Sequence, residues 1–498
     1  MKSKRLTLSV LFVVAAVANA LACTNLIVGK NASADGSTIV SYSADSYGLF
    51  GELYHYPAGM HKKGTLIDIH EWDTGKYLGQ IAQARQTYNV IGNMNEFQLT
   101  IGETTFGGRP ELVDTTGIID YGSLIYLGLQ RSRTAREAIK VMTELVQEYG
   151  YYSGGESFTI ADPNEIWIME MIGKGPGVRG AVWVAVRVPD DCISAHANQS
   201  RIHQFNMNDK ENCMYSPDVI SFAREKGYFD GVNKDFSFAN AYAPLDFGAR
   251  RYCEARVWSY FNMFTDRGNE FLPYILGETN TPMPLFVKPN RKVSVQDVKN
   301  AMRDHYEGTP LDISKDFGAG PYHTPYRLSP LSFKVGDREY FNERPISTQQ
   351  SGFVFVAQMR SELPDPIGGV LWFGTDDANM TVFTPVYCCT DKVPVCYTRV
   401  DGADYITFSW NSAFWIFNWV ANMVYPRYDL MMGDVRATQT ELETTFNEAQ
   451  EGVEAAAAKL LEKRPCQSKG IPYQLYEHDC PKHFRYLETS WRVSCRKV

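Results

Sequence analysis

The strongest constraint on how this chain can fold lies in residues 23–43. Two short β-prone runs, "CTNLIVG" and "STIVSYS", are separated by "KNASADG", a cluster of turn formers. Runs of this kind on either side of such a cluster predict an antiparallel hairpin, and hence a sheet that begins at Cys23. With the turn centred near Ala34 and Asp35, Cys23 falls opposite Asp45 or Ser46, so a carboxylate arrives beside it. The form recurs in "ESFTIADPNEIWIMEMIG", where Asp162, Pro163, Asn164 and Glu165 make the turn between two apolar strands.

Between these hairpins the spacing predicts a helix with Thr134 as N-cap, Glu137 three places on, apolar Ala138, Ile139, Met142, Leu145 and Val146, and Gly150 as terminator. A second helix is expected from Ser216 and Pro217 to Gly227, a third from Ser294 to about His305, and a long one over residues 438–463. Strands, then helices, then strands suggest layered sheets covered by helices rather than an alternating parallel fold. No repeat or flexible linker divides the central part. The expected divisions are 1–22, a single domain over 23–435, and a helical, Cys-containing extension over 436–498.

Ahead of the hairpin, "MKSKR", an apolar run from Leu6 to Val17 and Ala20-Leu21-Ala22 have the order of a secretory signal peptide. The run is shorter than the ~20 residues a membrane-spanning helix needs. Export, periplasmic or extracellular, is therefore expected, with removal of residues 1–22. A composition of 44% hydrophobic residues is that of a globular chain, and a net charge of -8 argues against nucleic acid or an anionic membrane as partner. Of the ten cysteines, Cys466, Cys480 and Cys495 sit together in the tail, where a bridge is expected.

Cleavage after Ala22 gives Cys23 a free α-amine. An unperturbed α-amine titrates near ~7.7–8.0 and a thiol near ~8.5, so the amine can take the thiol proton and later return it to a leaving amine. Nucleophile and general base then belong to one residue. Two blander roles compete: a lipoprotein cysteine, although Ala20 rather than Leu stands three places before it, and an ordinary disulfide partner.

The segments "CTNLIVGKNASADGSTIVSYSAD", "GNMNEFQLTIGETTFGGRPEL", "ESFTIADPNEIWIMEMIGKGPG", "HANQSRI" and "MRDHYEGTPLD" together resemble the C69 family of dipeptidases. These are N-terminal nucleophile (Ntn) hydrolases, similar to penicillin V acylase and bile salt hydrolase. The resemblance implies an α+β fold, a four-layer αββα sandwich of two antiparallel sheets, with Cys23 as nucleophile and Asp45 as the acidic residue after the first hairpin. It places Asn198 and Asn93 among the oxyanion-side residues, and Arg251 or Arg256 near the nucleophile. Where many relatives carry Arg three places before the Asp, this chain has Tyr42, whose hydroxyl donates a hydrogen bond but carries no positive charge. A dipeptidase must also hold the substrate's free amine, for which Glu103 is the candidate and Glu96 the weaker one.

Competing chemistries lack their carriers: there is no H-E-x-x-H, no G-x-S-x-G and no phosphate loop. "DFGAGP" at 316–321 reads as a loop, His305 as a capping or packing residue, and His478, Cys480 and His483 as a weak metal candidate beside a cysteine expected to be oxidised. The expectation is an exported cysteine dipeptidase without cofactor or metal, acting on small peptides, with a homo-oligomer allowed. The alternatives are an amidase for N-acyl small molecules and a non-catalytic exported binding protein on the same scaffold.

Overall fold

The computed structural model describes residues 23–326, 333–336, 338–340 and 344–463. The first hairpin forms as expected, with strands Asn25–Val28 and Thr38–Asp45 paired antiparallel, Ile27 against Val40. Its register differs by one or two residues from the expectation. The Thr24–Ser43 bridge, carried on by one residue, sets Cys23 opposite Ala44, so Asp45 lies one place beyond. Because side chains alternate along a strand, that difference decides which face each residue takes.

The hairpin belongs to a six-stranded sheet ordered Ile193–His196, Asn25–Val28, Thr38–Asp45, Ser351–Met359, Gly369–Thr375, Thr384–Tyr387. A second sheet has eight strands, ordered Cys213–Tyr215, Ala181–Arg187, Ile166–Gly173, Gly155–Ala161, Thr100–Gly107, Met94–Asn95, Val90–Ile91, His55–Tyr56. Neighbours in both sheets pair antiparallel. The sheets pack face to face. Ile27, Val40, Ala44 and Phe355 of one meet Ile168, Ile172, Val182 and Val184 of the other in a single buried cluster.

The alternate residues face outward onto helices. Ile39, Val354 and Trp372 pack with Trp258, Phe261 and Val298, and Phe158, Met169 and Met171 pack with Leu124, Ile139 and Met142. Helix, sheet, sheet and helix therefore follow in layers, with antiparallel sheets as the sequence led one to expect. Burial of each such side chain contributes roughly 1.5–3 kcal/mol, and both faces of these strands are buried.

The helix Ala135–Tyr149 has its expected cap, Thr134 accepting from the Glu137 amide, and ends at Gly150 with φ 80°. The second expected helix is shorter, Ser221–Glu225. Ser216 does not cap it, because its backbone and hydroxyl pair with Trp183 across the sheet edge. Ser294 caps Val295–Ala301 in a capping box with Asp297, and His305 lies beyond the helix end. The last helix begins ten residues earlier than expected and runs unbroken as Tyr428–Lys463, through the boundary expected at 435/436. Among the described residues no helix is long and apolar enough to cross a membrane. The tail cysteines and the His478, Cys480 and His483 group lie outside the described residues.

Candidate active site

The strand Thr100–Gly107 pairs with Gly155–Ala161 along its length on one side, but on the other meets Met94–Asn95 only at Thr100. Beyond that point three asparagine side chains do the work of a neighbouring strand. Asn93 Nδ2 donates to the carbonyl of Ile101 (2.8 Å), Asn25 Nδ2 to that of Glu103 (2.7 Å) and Asn198 Nδ2 to that of Thr105 (2.8 Å). Every second carbonyl of the edge is thus satisfied without a ladder, as buried backbone groups must be. Gly102 admits the approach: a Cβ there would stand 2.4 Å from Asn25 Oδ1. Asn198 itself adopts φ 61°, a left-handed conformation that asparagine tolerates better than most residues.

This edge brings Glu103 against Cys23. Cys23 is 4% exposed, and its Sγ lies 3.4 Å from Glu103 Oε1 and 3.7 Å from Tyr42 Oη. The Tyr42 hydroxyl donates to the same Glu103 oxygen at 2.6 Å. The Tyr42 ring is held between Phe353 and Phe355, at centroid distances of 5.7 and 5.6 Å. Burial, followed by the charges of Glu103 and Asp45, pushes the Cys23 thiol well above its ordinary pKa, against the Asp45 backbone N–H and the Tyr42 hydroxyl. At neutral pH the thiol is protonated.

Glu103 does not stand alone. Glu156 lies diagonally across the strand pair from Glu103 and accepts from the Thr105 hydroxyl at 2.7 Å. Burial raises both carboxyls, Glu156 further because Glu103's charge adds to it. Two neighbouring buried carboxyls resist being ionised together. Asp73, raised to about 6 chiefly by burial, accepts from the Tyr121 hydroxyl at 2.9 Å nearby.

The other side of Cys23 is held by arginine. Arg256 Nη1 donates to the Cys23 carbonyl (2.7 Å) and to Thr24 Oγ1 (2.9 Å), while Nη2 donates to the Ala197 carbonyl (3.1 Å) and Asn198 Oδ1 (3.0 Å). Its Nε donates to Tyr252 in the π-turn Arg250–Glu254 that precedes the helix Ala255–Phe264. Burial, then Arg344, lowers this guanidinium to about 10, and it remains charged at neutral pH.

Asp45 faces away from Tyr42, as strand alternation requires. Its carboxylate accepts from Arg344 (2.6 Å), Ser351 (2.5 Å) and Ser43 (3.0 Å), and burial raises it despite these partners. What reaches the thiol directly is the Asp45 backbone N–H. Arg251 sits in the π-turn near Tyr306, its pKa lowered by burial, rather than on the Cys23 carbonyl. Glu96 accepts from the Asn89 amide at 2.9 Å and serves the neighbouring corner.

His196, 0% exposed, is bracketed by Thr104 (2.7 Å to Nδ1) and Thr159 (2.6 Å to Nε2), and burial depresses it to about 3. With both ring nitrogens occupied and no charge, it pins the two sheets together and is not placed to take a proton. His305 packs edge-on against Tyr326 and pairs with Glu307. Of the eight residues expected at the site, Cys23, Tyr42, Glu103, Asp45, Arg256 and Asn198 converge, while Asn93 serves the start of the edge and Arg251 the π-turn. Glu156 and Arg344 escaped the sequence reading. Glu156 stands in a segment quoted for its strand pattern, whereas nothing around Arg344 points to Asp45.

Comparison with known proteins identifies the family. The profile of peptidase family C69 matches residues 22–55 and 50–441, starting immediately before Cys23. A probable dipeptidase of Salmonella dublin is 30% identical over 395 residues, covering 74% of this chain and 81% of the relative. A probable dipeptidase of Latilactobacillus sakei is 26% identical, covering 82% of each chain, and dipeptidase A of Lactobacillus helveticus is 24% identical, covering 79% of this chain and 80% of the relative. The match extends over both sheets and every residue that touches Cys23, and the chain belongs to peptidase family C69.

Proposed function

We propose that this protein is an exported cysteine dipeptidase of the Ntn-hydrolase type, whose nucleophile is created when residues 1–22 are removed. The observation that carries the reading is the position of Cys23: a buried thiol at the head of the first strand, against Glu103 and Tyr42, with its carbonyl clamped by Arg256. The dipeptidase names of the relatives support the substrate class.

In this reading the Cys23 α-amine takes the thiol proton as sulfur attacks the scissile carbonyl. Asp45, close enough for its charge to act on the thiol, steadies the resulting α-ammonium. The oxyanion is met by amide donors beside the thiol, with Asn198 and nearby backbone N–H groups as the candidates. Side-chain amides suit this role because they donate without titrating. The α-ammonium then protonates the departing amine, and water activated by the regenerated α-amine opens the thioester. Glu103 binds the free amine of the substrate, which favours dipeptides over N-acyl amides.

Protein beginning at Cys23 is expected to hydrolyse dipeptides and to prefer a free substrate amine. Cys23→Ala and a form retaining one extra residue ahead of Cys23 are expected to lose turnover while keeping their fold by circular dichroism. A fully active form shown by intact mass to keep its extra residue would sink the mechanism. Preference for N-acyl amides would turn the reading to an acylase.

A further inference from the structure

The groups around Glu103 are anions or weak acids from every element packed there. Cys23 and Tyr42 come from the first hairpin, Tyr121 from the start of its helix, Asp73 from a loop, and Glu156 and Tyr151 from the adjoining strand and its approach. Glu103 is 1% exposed and Glu156 0%, yet Glu103 Oε2 and Glu156 Oε2 receive no hydrogen bond. A buried carboxyl pair with two oxygens left over is suited to a cation that brings several donors.

Tyr42 adds a second element. Its single hydroxyl proton goes to Glu103 Oε1 at 2.6 Å, although the sulfur of Cys23 stands 3.7 Å away. One proton cannot serve both.

We propose that Glu103 and Glu156 form one receptor for the substrate's free α-ammonium, and that filling it arms Cys23, because the ammonium takes over Glu103 and releases the Tyr42 hydroxyl to the sulfur. This rests on the dipeptidase reading above. The charges balance when one carboxyl of the pair is ionised and the other protonated: that pair accepts an ammonium of plus one and keeps its proton. The thiol proton then passes to the Cys23 α-amine as the sulfur's electron pair forms the C–S bond. The C–N bond breaks later, the leaving amine collecting that proton. In the empty protein the negative charge on Glu103 opposes formation of the thiolate, in accord with its part in raising Cys23. An N-acylated substrate fails twice, in binding and in activation.

The test uses processed protein beginning at Cys23 and follows the thiolate by its ultraviolet absorbance against pH, as the difference from Cys23→Ala. The probes are L-leucinol, an amine without a scissile bond, and the corresponding deaminated alcohol. L-leucinol is expected to lower the midpoint by about one pH unit, a ~10-fold gain in thiolate below it, and the alcohol to leave it unchanged. In Glu103→Gln the midpoint is expected to lie low already and to ignore L-leucinol. If dipeptides are hydrolysed but L-leucinol leaves the wild-type midpoint in place, this inference is overturned and the dipeptidase reading stands. If no dipeptide is hydrolysed, both fall.

Discussion

Arg256 supplies Cys23 with a fixed carbonyl, a role that depends on the shape of its guanidinium. Five hydrogen bonds leave its three nitrogens toward acceptors on three separate segments, so the group acts as a rigid fork rather than as a point charge. Lysine offers three donors at one atom and cannot span them. Arg256→Lys is therefore expected to leave at least one buried acceptor unpaired, at about 1–3 kcal/mol each. Thermal unfolding should shift down by several degrees, and kcat/KM for a dipeptide should fall at least ~10-fold. An unchanged kcat/KM would show that the Cys23 carbonyl needs no such clamp. Tyr42, the departure noted in the sequence, is compatible with this arrangement because Arg256 and Arg344 bring guanidinium charge to Cys23 and Asp45 from elsewhere in the chain.

At the scale of elements, the site exists because one strand edge is closed by side chains and not by another strand. The same sandwich is pinned by His196, which spans from the six-stranded sheet to Thr104 and Thr159 of the eight-stranded one. Burial, then the charge of Arg201, holds its folded pKa near about 3, well below the ordinary ~6.5. The unfolded chain takes up a proton that the folded protein refuses between those values. This contribution to stability is complete above pH ~6.5 and is lost as the pH falls toward 3, with a slope near ~1.4 kcal/mol per pH unit. His196→Gln is expected to flatten the acid limb of the stability profile by about that slope, measured by urea unfolding at a series of pH values. An identical slope in the variant would mean that other groups carry the acid sensitivity.

At the scale of the whole molecule, the long terminal helix is bound to the sandwich through buried ion pairs. Arg303 meets Glu443 at 2.5 Å and Arg360 meets Glu454 at 2.6 Å, with Glu443 also accepting from the Phe383 amide. Lys299, 0% exposed and stacked 3.4 Å over the Trp372 ring centre, is lowered to about 7 by burial, with Glu443 opposing. Removing Glu443 alone strands Arg303 without its carboxylate, and Glu443→Leu is expected to cost about 3–5 kcal/mol. The paired change Arg303→Met with Glu443→Leu should recover most of it. Thermal unfolding of both variants checks this, and a double variant no more stable than the single one would count against the pair as the cause.

The sequence by itself determined what short-range periodicity controls. Alternating apolar runs and turn formers specify both hairpins, and Thr134 and Ser294 mark helix starts. The small-residue signature before Cys23 points to it as the proposed nucleophile, and Glu103 could be named as the proposed partner of the amine because amine recognition calls for a carboxylate. Tertiary structure alone decided the rest. The one- or two-residue difference in register turned the Asp45 carboxylate toward Arg344, 299 positions away, and left its amide to the thiol. Asn93 and Asn198 became edge donors because the neighbouring strand ends at Thr100. Glu156 joined Glu103 through the pairing of two strands. Local patterns follow from backbone geometry and leave their mark in adjacent residues. Convergence of distant side chains follows from how two sheets and their helices exclude water together, and no short window of sequence contains it.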